Sequence, residues 1–244
     1  ILLGRTQLPE RGLWSQVTPG DPLYARIQAM EELESLGAQV IPARVDLARP
    51  GALAGWLAQY TRQGGRPIRG VLHAAVYNED RLVTQLEANS LQRVFLAKAR
   101  GALDLARLLP DVDFLVLFSS VIALFGPAGT AAYAAANSYL DSLAELLRAS
   151  GYPVLSIDWA AWRELGLART KSVHDTIGHF EKVGIVSFSD IEGLDLLGRL
   201  IDRLAGGADL PAGLAVIPMD WRTYRQAPSP RFGEDLFAVQ LKEG

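Results

Sequence analysis

Short apolar runs alternate with longer amphipathic segments along almost the whole chain. Most of the short runs are continuously apolar, which is typical of parallel strands that are covered on both faces. The strand-like runs span residues 1–4, 38–45, 68–75, 114–120, 153–159 and 213–219. The helical segments between them span residues 22–36, 52–60, 83–109, 133–149 and 191–204. This order predicts an α/β fold with an open, doubly wound parallel sheet and right-handed crossovers.

The composition of the 244 residues limits what such a fold binds. Hydrophobic residues make up 49% and charged residues 21%, an ordinary mixture for a chain with a sizeable core. A net charge of −3 gives no electrostatic reason to bind nucleic acid or an anionic membrane, and no apolar run is long enough to span a bilayer. The chain has no cysteine, which excludes disulfides and a thiolate nucleophile and favours a cytoplasmic location. His174 and His179 are five residues apart, a poor spacing for a shared metal ion, so no metal site is predicted.

Three segments interrupt the alternation. Residues 6–22 are rich in proline, glycine and polar residues and are interpreted as a surface insertion after the first strand. Residues 166–184 connect a strand to a helix, and two interpretations stay open: a lid over a ligand, or a surface helix without a role. Residues 227–244 contain the sequence PSP and then charged residues, which predicts a C-terminal linker toward a following domain.

Polar and aromatic residues stand where the predicted strands end. Ligands of open α/β sheets bind beyond the carboxyl ends of the strands, so these residues predict a single cleft. They are Arg5, Asp46, the segment HAAVYNED at 73–80, Ser119, Ser120, Trp159 and Trp162.

Ser120 and Tyr133 form the strongest catalytic candidate. Ser120 ends a buried strand, and Tyr133 begins the next helix after a Gly/Pro loop that brings the two hydroxyls together. A tyrosine in this place protonates a carbonyl oxygen as a hydride reaches its carbon, while the serine donates a second hydrogen bond. The tyrosine pKa must fall from about 10, or a proton relay must stand behind it. Asn137 lies four residues further on, where a lysine would complete a reductase motif, so a broken site, a structural helix and a rearranged site all remain open.

The segment FLVLFSSVIALFGPAGTAAYAAANSYLDSLA resembles the active-site segment of ketoreductase domains of modular type I polyketide synthases, a branch of the short-chain dehydrogenase/reductase superfamily. Four further stretches resemble that family in the expected order: ILLGRTQLP, GVLHAAVYNEDRLV, IDWAAWRELGLA and GLAVIPMDWRTY. The resemblance implies a Rossmann-like sheet with residues 1–226 as the catalytic subdomain. In this branch the lysine and asparagine of the catalytic tetrad are exchanged. AKARGALDL places Lys98 in the lysine position, so the implied tetrad is Lys98, Ser120, Tyr133 and Asn137.

The resemblance also implies a cofactor, NADPH. Arg5 matches the arginine that pairs with the 2′-phosphate, and a guanidinium fork suits a phosphate. Asp46 matches an acidic residue beside the adenine, although an N-cap for the helix that follows is an equally plain interpretation. His73, Ala74 and Ala75 match the segment that runs along the cofactor.

Two departures from the family pattern concern the cofactor. The first strand and the glycine-rich phosphate turn of the family would precede Ile1, so the chain is expected to be part of a longer polypeptide, or the domain to be split between chains. Without that turn, weak NADPH binding and a sheet lacking its central strand are expected. Val76 stands where the family has glycine, and its β-branched side chain is expected to crowd the nicotinamide ribose.

The implied reaction is reduction of a β-ketoacyl group, tethered through phosphopantetheine to an acyl carrier protein, to a β-hydroxyacyl group. Neighbouring polyketide synthase domains are the other implied partners, with Trp159 and Trp162 closing over the substrate. Asp80 matches the last residue of the LDD motif of B-type reductases, and Phe125 stands where A-type reductases have tryptophan, which favours a D-configured hydroxyl. The main alternative is a catalytically silent, structural domain of the same synthase. A free-standing short-chain dehydrogenase is disfavoured by the Lys/Asn exchange.

Overall fold

The computed structural model describes residues 1–163 and 171–226, which divide into two compact units, residues 1–65 and the residues from 66 onward. In the first unit, β1 (Leu2–Gly4) pairs in parallel with β2 (Pro42–Arg44). The helices of this unit are α1 (Tyr24–Ser35) and α2 (Ala52–Arg62). The predicted strands and helices of this unit are therefore present, with shorter strands than the apolar runs.

The predicted surface insertion at 6–22 contains structure that the sequence did not indicate. A 3₁₀ helix (Arg11–Gln16) buries Trp14 against Ile27, Met30 and Val40, and the indole nitrogen donates to the carbonyl of Pro9 at 3.1 Å. A fully buried side chain of this size contributes roughly 1.5–3 kcal/mol. The segment is therefore anchored to the core of its unit by one aromatic residue.

The second unit is built on a four-stranded parallel sheet in the order β3-β4-β5-β6. The strands are β3 (Gly70–His73), β4 (Phe114–Ser120), β5 (Val154–Trp159) and β6 (Gly213–Val216). All six residues of β5 are buried, as expected for a central strand covered on both faces. All strand pairs of both sheets are parallel, which confirms the predicted α/β fold class.

The predicted helix at 83–109 is divided into four pieces. These are a 3₁₀ turn (Val83–Gln85), α3 (Ala88–Phe95), a π-helical turn (Leu96–Arg100) and α4 (Gly101–Leu108). The later helices are α5 (Ile122–Phe125), α6 (Ala131–Ala149), α7 (Lys171–Lys182), α8 (Asp190–Ala205) and α9 (Trp221–Gln226). The predicted linker 227–244 lies outside the described residues, as does the first part of the predicted lid.

Helices cover the four-stranded sheet on both faces. Leu115 and Leu117 of β4 pack with α4 and α6 on one face, whereas Val116 packs with α8 on the other. The same alternation continues along β5, where Val154 lies on the α6 face and Leu155 on the α8 face. In the described part of the chain, no helix is long and apolar enough to cross a membrane.

Candidate active site

A cleft of about 530 Å³ opens beyond the carboxyl ends of β3, β4 and β5. Open α/β sheets bind their ligands beyond the carboxyl ends of the strands, which is where this cleft lies. Its lining contains a polar group of residues, called here the polar end, and an apolar group, called here the apolar end. The polar lining residues include Asn78, Asp80, Lys98, Ser119, Ser120, Thr130 and Tyr133, and the apolar ones include Ala74, Val76, Trp159, Trp162, Phe180, Leu194 and Leu197.

Lys98 reaches the cleft from the π-helical turn. A π turn adds one residue to the helical repeat and turns a side chain away from the direction that regular α-helical spacing gives it. Lys98 is only 2% exposed, its ammonium donates to the carbonyl of Phe118 at 2.7 Å, and Nζ lies 5.3 Å from the ring centroid of Tyr133. Burial lowers the pKa of Lys98 to about 8, and the carboxyl groups of Asp141 and Asp158 oppose that shift.

Tyr133 lies in the first turn of α6, and the connection from Ser120 at the end of β4 contains α5. Burial raises the pKa of Tyr133, and the negative charge of Asp80 adds to the rise, while hydrogen bonding with the Asn137 and Ser120 side chains opposes it. The hydroxyl is therefore protonated at neutral pH and is a proton donor. The Ser120 hydroxyl oxygen accepts from the Ile122 backbone N–H at 3.3 Å, which leaves its hydrogen to bond the Tyr133 oxygen or a ligand.

Asn137 is fully buried one helical turn after Tyr133. Its side-chain nitrogen donates to the Tyr133 carbonyl at 2.8 Å, and the Ser119 hydroxyl lies 3.4 Å from the Asn137 carbonyl. The side-chain oxygen of Asn137 has no hydrogen-bond partner within residues 1–163 and 171–226. Asn137 therefore fixes the first turns of α6 under Tyr133.

The four residues of the HAAV segment, 73–76, differ in whether they line the cleft. The His73 ring is buried and its Nε2 lies 2.8 Å from the carbonyl of Lys98, so the donating tautomer carries its hydrogen on Nε2. Burial lowers the pKa of His73 to about 4, which keeps the ring neutral. Ala74 and Val76 line the cleft, whereas His73 and Ala75 do not belong to its lining. His73 thus supports the turn that carries Lys98.

The segment Asn78–Asp80 presents alternate residues to the cleft. Asn78 and Asp80 line it, and the Asn78 amide donates to Asp80 at 2.9 Å. Glu79 binds Arg81 at 2.6 Å and Arg93 of α3 at 2.8 Å. Hydrogen bonding to Arg93 is the largest cause of a Glu79 pKa of about 2. Glu79 therefore anchors the segment, and Asp80 is the acidic group that faces Tyr133.

The apolar end of the cleft is lined by aromatic residues. Trp159 ends β5 and packs edge-to-face on Trp162, with the ring centroids 5.1 Å apart. Both tryptophans line the cleft, together with Phe180 of α7, so part of the predicted lid segment borders it. Phe125 is buried behind Phe180, at a centroid distance of 5.9 Å, and is not one of the lining residues.

Arg5 and Asp46 belong to the first unit. Arg5 follows β1 and Asp46 follows β2, so both stand at the carboxyl edge of the two-stranded sheet. The Asp46 carboxylate accepts from the Ala48 backbone N–H at 3.0 Å, and the N-cap of α2 is Gly51. The alternative interpretation of Asp46 as that N-cap is therefore wrong.

The charges of Asp141 and Asp158 act on Lys98, and the sequence did not single out these two aspartates. Tyr133, Asn137 and Asp141 repeat every four residues, a spacing that places them on one face of α6. This four-residue spacing is the sequence signal by which Asp141 could have been identified as a residue on the same helix face as Tyr133.

The polar end of the cleft combines three donors of different acidity. The Tyr133 hydroxyl, the Ser120 hydroxyl and the Lys98 ammonium are suited to bind and protonate a carbonyl oxygen. No group of His, Asp and Glu side chains suited to a metal ion occurs among the residues described.

The comparisons with known proteins place this arrangement in a family. The family model described as "KR domain" matches residues 1–164. The chain is 41% identical over 170 residues to a subunit of the phenolphthiocerol/phthiocerol polyketide synthase of Mycobacterium tuberculosis (strain CDC 1551 / Oshkosh), covering 69% of this chain and 9% of that protein. It is 36% identical over 177 residues to 6-methylsalicylic acid synthase of Penicillium terrestre, covering 70% of this chain and 10% of that protein. The chain thus spans about a tenth of the length of these relatives.

Solved structures of ketoreductases superpose on most of the chain. The ketoreductase from the first module of phoslactomycin biosynthesis in Streptomyces sp. HK803 is 30% identical with a TM-score of 0.72, covering 88% of this chain and 48% of that one. A structure described as A-type ketoreductases from a modular polyketide synthase is 33% identical with a TM-score of 0.72. The match covers 87% of this chain and 42% of that one. The fold implies a nicotinamide cofactor and oxidoreductase chemistry. The chain therefore belongs to the KR domain family, the ketoreductase domains of polyketide synthases.

Proposed function

We propose that this chain is an NADPH-dependent reductase. It converts a β-ketoacyl group, carried by the phosphopantetheine arm of an acyl carrier protein, to a β-hydroxyacyl group. The observation that carries this proposal is the convergence of Lys98, Ser120 and Tyr133 at one end of the cleft, with Asn137 buried beneath Tyr133. Four dispersed polar groups converge here on a mostly apolar cleft.

The residues present fit the nicotinamide end of such a cofactor. The small side chain of Ala74 leaves room along one wall of the cleft. Lys98 and Tyr133 offer hydrogen-bond donors to ribose hydroxyls. When bound, the reduced nicotinamide supplies the hydride. Val76 also lines this wall and is 37% exposed, so it contacts whatever occupies the space.

The protein side of the reaction follows from the donors. Ser120 orients the ketone oxygen by a hydrogen bond, and Tyr133 transfers its hydroxyl proton to that oxygen as the hydride reaches the carbon. The products are a secondary alcohol and a Tyr133 phenolate. The Lys98 ammonium stabilises the phenolate and returns a proton to it.

The apolar end of the cleft suits an acyl thioester. Trp159, Trp162 and Phe180 offer apolar surface to an acyl chain or to the pantetheine arm. Asp80 lines the cleft and its charge raises the pKa of Tyr133, whereas Phe125 is buried outside the lining. We assign B-type stereochemistry, with a D-configured hydroxyl, from Asp80.

The test is turnover by the intact protein. NADPH oxidation is followed with a β-ketoacyl thioester as substrate, and the product is resolved by chiral chromatography. Tyr133→Phe is compared with Tyr139→Phe, a control on the same helix that lies outside the cleft lining. Activity lost only in Tyr133→Phe supports the proposal. A folded wild-type protein that binds NADPH but does not reduce the thioester contradicts it.

Val76 motivates a second candidate, a catalytically silent domain that supports its neighbours in the synthase. Its side chain occupies the wall where the nicotinamide end of the cofactor fits. NADPH affinity measured by fluorescence separates the two candidates. The silent domain is favoured if the wild type does not bind NADPH and Val76→Gly restores binding.

A further inference from the structure

One wall of the cleft is formed by residues 185–188, which connect α7 to α8 and which we call the strap. The backbone N–H of Val186 donates to the carbonyl of Pro218, after the end of β6, at 2.9 Å. The backbone N–H of Phe188 donates to the carbonyl of Ala161, after the end of β5, at 2.8 Å. The strap is therefore bonded on both sides to the segments that follow the last two strands of the sheet.

Ser187 occupies the middle of the strap, and further bonds hold its backbone. The guanidinium of Arg163 donates to the Ser187 carbonyl at 3.3 Å, and the Arg163 backbone N–H donates to the Phe188 carbonyl at 2.9 Å. Trp162 pairs with Phe188 in a parallel bridge. The Ser187 side chain is thus carried by a rigid support.

The Ser187 hydroxyl lacks a hydrogen-bond partner in the protein. The residue is 7% exposed and lines the cleft. Its hydroxyl bonds to no group within residues 1–163 and 171–226, whereas its carbonyl accepts from Arg163. Removing a hydroxyl from water without giving it a hydrogen bond is unfavourable. A ligand that supplies a partner to this hydroxyl recovers that loss.

The surroundings of Ser187 are otherwise apolar. Phe188 packs edge-to-face on Trp159 with the ring centroids 5.8 Å apart, and Ile185 and Leu194 line the same cleft. A purely hydrocarbon ligand would leave the hydroxyl unpaired, and an alanine at position 187 would suit such a ligand better. Ser187 therefore indicates a ligand with a hydrogen-bonding group in this apolar part of the cleft.

The spacing of the strands indicates how far that group lies from the reacting ketone. Ser120 of β4 is the register partner of Trp159 in β5, which in turn pairs with Val216 in β6. Neighbouring strands lie about 4.8 Å apart, so the strap lies roughly 5–10 Å from Ser120 across the sheet. In a β-ketoacyl pantetheine thioester, the first amide nitrogen of the arm is about six bonds from the ketone carbon, roughly 7 Å when extended. The first amide of the arm matches this separation.

We propose that Ser187 is a specificity-determining residue that hydrogen-bonds the first amide of the phosphopantetheine arm. A hydroxyl both donates and accepts, so it suits the carbonyl and the N–H of an amide. This inference rests on the proposed reductase function for the identity of the substrate and adds the group of the carrier arm that the cleft recognises. Thioesters without that amide gain nothing from Ser187.

The first test measures binding and does not need turnover. NMR titration of the intact protein gives Kd for three β-hydroxyacyl thioesters: an N-acetylcysteamine thioester, which has the amide, a plain alkyl thioester, and an alkyl thioester with an additional oxygen in its acyl chain. Ser187→Ala should weaken binding of the first alone by about three- to tenfold, and Ser187→Thr, which keeps a hydroxyl, should retain most of the affinity. The control is Ser142→Ala, an exposed serine that donates to the Ser138 carbonyl, and it should change none of the three Kd values.

The pattern across the three thioesters decides the proposal. An equal loss for all of them, no loss for any, or a wild type that binds none overturns it. A loss confined to the thioester with the additional acyl oxygen contradicts the assignment to the arm. If the wild type binds the amide thioester through Ser187 but does not reduce β-ketoacyl thioesters, the reductase function fails and the assignment of Ser187 stands.

Thermal unfolding distinguishes this role from a structural one. Without ligand, Ser187→Ala should have a Tm equal to or above that of the wild type, because the hydroxyl has no protein partner to lose. Ser142→Ala loses one exposed hydrogen bond and serves as the reference. A Tm clearly below that of the wild type, with the preference for the amide thioester unchanged, identifies a structural serine and overturns the proposal.

Discussion

Replacing Gly193 by alanine is expected to push the Trp162 ring into the cleft. Gly193 is a buried residue of α8, and a Cβ there would lie 2.7, 2.8 and 2.9 Å from three carbons of that ring. Optimal carbon–carbon contacts are about 3.5–4.0 Å, so the ring must withdraw by roughly 1 Å. Trp162 is held on another side by Trp159, at a centroid distance of 5.1 Å, and it lines the cleft. The direction left open for the Trp162 ring is therefore the cleft, where the substrate is proposed to bind.

The change in the free energy of unfolding of Gly193→Ala follows from two opposing effects. Alanine in place of glycine within a helix contributes about 0.5–1 kcal/mol of stability. Overpacking of a filled site costs about 1–3 kcal/mol. Gly198 of the same helix has open space around its Cβ position, so Gly198→Ala shows the first effect without the second. We expect Gly193→Ala to be less stable than Gly198→Ala by about 1–3 kcal/mol.

Thermal unfolding and steady-state kinetics check this difference. For a protein of this size, the Tm of Gly193→Ala should lie about 2–12 °C below that of Gly198→Ala. With the β-ketoacyl thioester, Gly193→Ala should raise KM more than it lowers kcat, because the narrowed apolar end binds substrate while the proton donors are unchanged. Equal Tm values and an unaltered KM would refute the argument from the contact distances.

Three further predictions concern single side chains. Tyr133→Phe should lower kcat by about 10²–10⁴-fold, since it removes the proton donor, and stopped-flow measurement of NADPH oxidation checks this. His73 is protonated between about pH 4 and pH 6.5 only in the unfolded chain, so it makes stability rise with pH across that window by up to about 3 kcal/mol. Asp158, with its pKa raised from 3.8 to about 6, makes stability fall across nearly the same window. Urea unfolding of His73→Gln should therefore show stability that falls with rising pH, and Asp158→Asn should show the opposite slope. Glu79→Gln should raise KM several-fold by releasing the segment that carries Asp80, and a KM equal to that of the wild type contradicts the anchoring role.

The sequence predicted the elements that are defined by long apolar patterns. The strands at 114–120 and 153–159 and the helix that contains Tyr133 are present with boundaries close to those expected. Continuous apolar runs identify buried parallel strands because both faces of such strands need apolar side chains. The positions of Ser120 and Tyr133 at the cleft follow directly from these elements.

The turn that carries Lys98 could not be predicted in the same way. The run 83–109 has an apolar pattern compatible with one helix, and a π turn changes the phase of that pattern by a single residue. Tertiary contacts decide between a regular helix and a π turn. They are the hydrogen bonds of Lys98 to the Phe118 carbonyl and of His73 to the Lys98 carbonyl. Phe118 and His73 belong to strands β4 and β3, so the sequence around Lys98 itself carries no sign of these contacts.

The exchange of lysine and asparagine is coupled to the buried charges of this site. Position 137 is fully buried, so a lysine there would place a second ammonium in the interior that already holds the buried Lys98. A second buried ammonium without a partner of its own would carry the full cost of desolvation. Asn137 fills that position without a charge and still binds the Tyr133 carbonyl. Asn137→Lys alone should therefore be strongly destabilising, and adding Lys98→Asn should recover part of the lost stability. A double variant whose urea midpoint is no higher than that of Asn137→Lys would show that the two positions are not coupled through charge.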